Sequence, residues 1–170
     1  MLQKKVCMVG LFSTGKTCLV QRFVHSIFSP RYLSTVGVKI DRKTVAVDGG
    51  DVNLLLWDLE GRDGEHDVST SYLRGAHGII YVVDGTRRET LDQIFELRDL
   101  VRGAVGDVPS IVALNKIDLT DEWSLGPADD KALSAHPWHA VRTSAKTGEG
   151  VEAAFAWLAR ATLAPGGGTS

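Results

Sequence analysis

The segment Gly10-Leu11-Phe12-Ser13-Thr14-Gly15-Lys16-Thr17 carries the pattern G-x-x-x-x-G-K-[ST]. An apolar run that reads as a strand, Val6-Cys7-Met8-Val9, precedes it, and Cys18-Leu19-Val20-Gln21-Arg22-Phe23-Val24, with apolar spacing suited to a helix, follows. Strand, loop and helix together are the context in which this pattern forms a phosphate-binding loop. Gly10 and Gly15 let the backbone curl without side-chain clashes, so that successive N–H groups turn toward phosphate oxygens. A helix starting near Gly15 adds the positive end of its dipole and its unpaired first-turn amides. Lys16 supplies a mobile charge for β- and γ-phosphates, and Thr17 offers a hydroxyl to Mg²⁺. The ligand class this implies is a nucleoside di- or triphosphate.

At 170 residues the chain is most simply one domain with a substantial core. A hydrophobic share of 44% and a charged share of 24% are ordinary for a globular protein. The net charge is −2 with no basic stripe, so no nucleic-acid partner is expected. The two cysteines, Cys7 and Cys18, have no metal-ligand spacing and read as small apolar residues of a reducing compartment, the cytoplasm. No stretch approaches the roughly 18 apolar residues of a membrane span. The N-terminus lacks the apolar core of a signal peptide and the second-position glycine of a myristoylation signal. Residues 165–170 read as a flexible tail without a cysteine for a prenyl group, so no membrane anchor is expected; the same tail suits the start of a linker in a longer protein.

Strand-like and helix-like segments alternate. The pattern predicts a helix over residues 16 to about 25, an antiparallel hairpin within residues 36–57 turning at Asp48-Gly49-Gly50, and a polar irregular stretch at 59–71. Gly78-Ile79-Ile80-Tyr81-Val82-Val83-Asp84 and Ser110-Ile111-Val112-Ala113-Leu114 read as strands covered on both faces. Helices are predicted over residues 89–103, 127–134 and 150–163, with a short strand at His139–Arg142. The alternation implies an α/β sandwich, a mainly parallel sheet with helices on both sides and right-handed crossovers. In such sheets ligands bind beyond the C-terminal strand ends, so the loops after Val9, Trp57, Leu114 and Arg142 should meet at one rim.

The last two of those loops hold Asn115-Lys116-Ile117-Asp118 and Ser144-Ala145-Lys146. With them the chain resembles the small GTPase superfamily, closest to the Ras/Rab type, over residues 4–163 with its motifs in order. The resemblance implies a P-loop NTPase three-layer sandwich: a six-stranded sheet with one antiparallel strand, about five helices, and a G domain spanning residues 1–164. It implies a monomeric guanine-nucleotide switch that binds GTP or GDP with Mg²⁺. Guanine presents two donors on one edge, N1–H and the 2-amino group, and Asp118 is similar to the carboxylate that accepts both. By resemblance Asn115 reaches the other edge and ties the loops together, and the Lys116 stem lies over the ring. Ser144, Ala145 and Lys146 contact the base side, the Ala145 amide meeting the guanine oxygen. Phe28 packs against base or ribose, and Ser13, Thr14, Gly15, Lys16, Thr17 and Cys18 surround the phosphates. Thr17, Thr35 and Asp58 match the metal-holding positions, the Gly61 amide meets the γ-phosphate, and Tyr32 folds over the phosphates. Lys16, Thr35, Gly61 and Arg62 would carry catalysis. Switch loops at about 26–37 and 58–73 order on the γ-phosphate and are read by effector, exchange-factor and activating proteins.

Two positions depart from the family. Asp58-Leu59-Glu60-Gly61-Arg62 stands where most relatives have Asp-Thr-Ala-Gly-Gln, so Arg62 replaces the glutamine that orients the attacking water. Arginine has five donors and no acceptor and cannot take a proton from that water. Two readings of Arg62 stay open: it stabilises transition-state charge, or it is a solvated loop residue. Asp63, Glu65 and His66 are near enough in sequence to position water instead. Phe12 stands where many Ras-like members have a small residue; its ring would crowd an incoming arginine or pack under the second switch. Slow GTP hydrolysis is the expectation, with a GTP-binding interaction module of negligible hydrolysis as the alternative. A P-loop kinase or ATPase lacks support, because no lid or acceptor site is visible. Trp123, Trp138 and Trp157 read as packing residues.

Overall fold

The computed structural model describes residues 2–11, 13–26, 28, 38–48, 50–59 and 70–163. Six strands form one sheet in the order β2-β3-β1-β4-β5-β6: β1 (Leu2–Val9), β2 (Val38–Val47), β3 (Gly50–Leu59), β4 (Gly78–Asp84), β5 (Ser110–Asn115) and β6 (His139–Arg142). Among the described strands only β2 runs antiparallel, pairing with β3 from Val38–Leu59 to Val47–Gly50. The other pairs are parallel, which places the C-terminal ends of β1, β3, β4, β5 and β6 along one rim as expected. The described residues form five α-helices, α1 (Lys16–His25), α2 (Thr70–Leu73), α3 (Arg88–Val105), α4 (Pro127–Ser134) and α5 (Val151–Leu163).

The period-2 alternation of the strands sorts side chains into two cores. Val6 and Met8 of β1 join Leu54, Leu56, Ile80 and Val82 beneath α1 and α5, where Phe23 and Phe155 stack at 4.0 Å between centroids. Cys7 and Val9 join Ile79, Tyr81 and Val83 beneath α2, α3 and α4. All seven residues of β4 are buried, which is why that strand reads as an unbroken apolar run.

The structure shifts several sequence boundaries. β1 begins at Leu2, because Leu2–Lys5 continue the parallel ladder against Val52–Leu55. Polar side chains at the sheet's end hide that extension: the Lys5 ammonium lies 3.7 Å over the Trp57 ring and donates to the Arg74 carbonyl at 2.7 Å. β3 runs to Leu59, so Asp58 sits inside the strand. The short helix α2 falls at the end of a stretch that reads as irregular. Among the described residues no helix is long and apolar enough to cross a membrane.

Candidate functional site

The turn between β1 and α1 is built from unusual backbone angles. φ is +63° at Ser13 and +102° at Gly15, which stands at the head of α1 in the left-handed region. Gly15 is required twice over: a Cβ there would lie 2.3 Å from Asn115 Nδ2, and its φ strains any L side chain. Thr14 Oγ1 donates to the Leu11 carbonyl at 2.9 Å. Lys16 is buried and folds back over the turn, donating to the carbonyls of Gly10 and Leu11, each at 2.9 Å. Burial pulls its pKa from 10.5 down to about 8; the Asp58 charge opposes the shift and Arg87 adds to it. Among the described residues its hydrogen-bond partners are those two carbonyls, and an anion would stabilise a buried ammonium so placed. The start of α1 favours one too, since among the described residues no side chain caps it and its first turn holds no acid. The cradle therefore fits a polyphosphate.

At two positions expected from the sequence to hold metal, Thr17 on the first turn of α1 donates its hydroxyl to Asp58 Oδ2 at 2.5 Å. Among the described residues no group of three or more His, Cys, Asp or Glu side chains comes together. One hydroxyl and one carboxylate, completed by phosphate oxygens and water, is a donor set that suits Mg²⁺.

The segments expected to contact the base, residues 115–118 and 144–146, reach the same rim. Asn115, the buried last residue of β5, donates from Nδ2 to the Thr14 carbonyl at 3.0 Å and accepts at Oδ1 from Thr143 Oγ1 at 3.2 Å. It thus bridges the phosphate loop and the segment after β6. Lys116, at φ +73°, donates to the Ser13 carbonyl at 3.1 Å. Ser144 Oγ donates to Asp118 Oδ1 at 2.7 Å and accepts from the Thr147 amide at 3.1 Å, so one hydroxyl aims the carboxylate. Ala145 is buried; Arg22 of α1 donates to its carbonyl at 2.7 Å and also to the Lys146 carbonyl. Cys18 is partly buried on α1, and Phe28 is partly buried against the α1/α5 core.

Gly10, Ser13, Thr14, Gly15, Lys16, Thr17, Asp58, Asn115, Lys116, Asp118, Ser144, Ala145 and Lys146 therefore gather at one rim. Phe12, Tyr32, Thr35, Gly61, Arg62, Asp63, Glu65 and His66 lie outside the described residues, as does the tail 165–170. Arg22, Asp84 and Thr143 contribute bonds that the motifs do not announce. Of these, Asp84 alone carries a signal in the sequence, an acid closing a run of otherwise uncharged residues. The tryptophans pack: Trp123 against Gly85, Trp138 5.0 Å from Tyr81, and Trp157 stacked 4.4 Å from His139.

The Ras family model matches residues 5–164. "Ras-related protein Rab-1" of Theileria annulata is 36% identical over 160 residues, covering 92% of this chain and 73% of that protein. "Ras-related protein Rab-10" of Caenorhabditis elegans is 35% identical over 167 residues, covering 94% and 81%. Human "Ras-related protein Rab-8B" is 33% identical over 158 residues, covering 92% and 76%.

Proposed function

The chain belongs to the Ras family of small GTPases, with Rab-like relatives, and from that membership we propose a Mg²⁺-dependent guanine-nucleotide switch that hydrolyses GTP slowly to GDP and phosphate. The observation that carries this reading is the Asn115 side chain, which joins the phosphate loop to the base-side segments through Thr14 and Thr143.

In this reading Lys16 releases its loop carbonyls to grip the β- and γ-phosphates. Thr17, Asp58 and Thr35 hold the metal, which when bound neutralises charge on the phosphates. Asp118, aimed by Ser144, pairs with the two guanine donors, and adenine would leave that carboxylate unsatisfied. Arg62, with no acceptor atom, cannot orient water as a glutamine does, and hydrolysis is slow. The second reading, binding with negligible hydrolysis, is favoured by that same arginine.

Partners would read the loaded state beside the hairpin β2–β3. There Ile40, half exposed, pairs in register with Trp57, whose ring lies 6.4 Å from that of the exposed Tyr72. These three large side chains, Ile40 and Trp57 of the hairpin and Tyr72 of α2, suit an effector's apolar surface. The two free thiols suit a reducing, cytoplasmic setting.

Single-turnover hydrolysis of bound GTP tests the catalytic proposal. The expected result is slow turnover that quickens in Arg62→Gln. Wild-type turnover as fast as that of a glutamine-bearing relative would reject it, and no turnover in either variant would favour the binding module.

A further inference from the structure

Asp84 closes β4 on the same rim, at 1% exposure, and its carboxylate takes four donors. Oδ1 accepts from the Thr86 amide at 2.9 Å and the Thr86 hydroxyl at 2.6 Å. Oδ2 accepts from Lys116 Nζ at 2.8 Å and from Arg87 Nε at 3.2 Å. Its own backbone is pinned, since Asp84 N donates to Thr90 Oγ1 at 2.9 Å and Thr90 Oγ1 donates to Asp84 O at 3.0 Å. Burial alone would raise the Asp84 pKa; the hydrogen bonds from Lys116 and Thr86 outweigh it and leave the carboxyl below its usual range. The group is a fixed, charged anchor.

What it anchors is Lys116. That lysine holds a left-handed backbone angle, which costs a non-glycine residue roughly 1–3 kcal/mol and persists only where the surroundings enforce it. Its ammonium touches Asp84 on one side and the Ser13 carbonyl of the phosphate loop on the other. The segment after Asp84 is fastened to the same stretch of chain. Gly85 N donates to the Asn115 carbonyl at 3.0 Å, and its carbonyl accepts from Ser124 N at 2.9 Å. A Cβ at Gly85 would lie 1.9 Å from the Trp123 ring, so any side chain there would force that ring to move. Arg87 alone would suffice to neutralise the carboxylate; the Lys116 bond is the one that reaches the phosphate loop.

We propose that Asp84 is a positioning residue for nucleotide retention, which holds Lys116 across the phosphate loop so that the base-reading and phosphate-gripping segments are tied through one buried carboxylate. The inference rests on the guanine-nucleotide reading of the rim. With Asp84 neutralised, Lys116 loses its charged partner and is held less firmly against its own backbone strain, residues 115–118 relax, and GDP escapes faster. A charge-assisted hydrogen bond lost on one side of such a tie corresponds to about tenfold or more in rate.

The test is the dissociation rate of fluorescent GDP from the full chain, measured for wild type, Asp84→Asn, Lys116→Met and the double variant. Each single change should speed release by about tenfold or more, and the double variant should match Lys116→Met within about twofold, because the two act through one contact. A wild-type rate in Asp84→Asn, or an Asp84→Asn effect repeated in full in the Lys116→Met background, would overturn the inference while leaving the GTPase reading intact. A wild-type chain that holds no GDP would overturn both. If Asp84→Asn does not fold, Thr86→Val removes one donor from the same carboxylate; release should then quicken about twofold in the wild-type background and not at all beside Lys116→Met.

Discussion

The Thr17 hydroxyl donates to Asp58 Oδ2 across 2.5 Å, joining the first turn of α1 to β3 at the phosphate end of the rim. In the proposed switch Thr17 and Asp58 would be among the residues that hold Mg²⁺, which would supply positive charge beside the phosphates. Chelating magnesium should therefore speed GDP release from the wild-type chain. In Asp58→Ala, release should already be fast, metal affinity should fall by at least about tenfold, and a chelator should change little. Stopped-flow release with and without a chelator reads both.

Gly15→Ala should be among the most damaging single-methyl additions in the chain. The new Cβ would press on Asn115 Nδ2 from 2.3 Å while the backbone stays at φ +102°. Strain of about 1–3 kcal/mol adds to the loss of the Asn115–Thr14 bond. Denaturant unfolding should show that destabilisation, and GDP retention should fall with it.

Lys16 gives the site a pH signature. Burial pushes its pKa down from the ordinary lysine value of 10.5 to about 8. Because the fold lowers it, the buried charge costs stability at neutral pH, and that cost is relieved as pH rises from about 8 to 10.5. A polyphosphate beside it favours the charged form, so GDP binding should take up a proton above pH 8 and weaken as pH climbs. Calorimetry in buffers of different ionisation enthalpy measures the uptake; Lys16→Met should abolish it.

The α1/α5 core should depend on the Phe23–Phe155 stack, 4.0 Å between centroids and 4° from parallel. Phe155→Ala should cost about 3–5 kcal/mol in unfolding free energy.

Legibility in the sequence follows the physics of each element. The phosphate loop is readable because the curl needs glycine and the charge needs lysine at fixed offsets. β4 is readable because burial on both faces leaves no polar alternation to confuse it. The first half of β1 is not, since Gln3, Lys4 and Lys5 lie at the sheet's end, where Lys5 covers Trp57 rather than entering a core. Asp58 and Asn115 read as loop residues and prove to be strand residues, because a polar side chain at a strand end looks like the start of a turn. Asp84 shows in the sequence as the acid that closes β4, but its role does not, since its partner Lys116 is distant in sequence and brought beside it by the β4–β5 register.

The most direct measurement of guanine recognition at this rim is competition for the purified chain's nucleotide. Labelled GDP should stay bound against about a thousandfold excess of ATP and be displaced by a small excess of unlabelled GTP, as expected where a carboxylate is left unpaired by the wrong base. Displacement by ATP as readily as by GTP would contradict it.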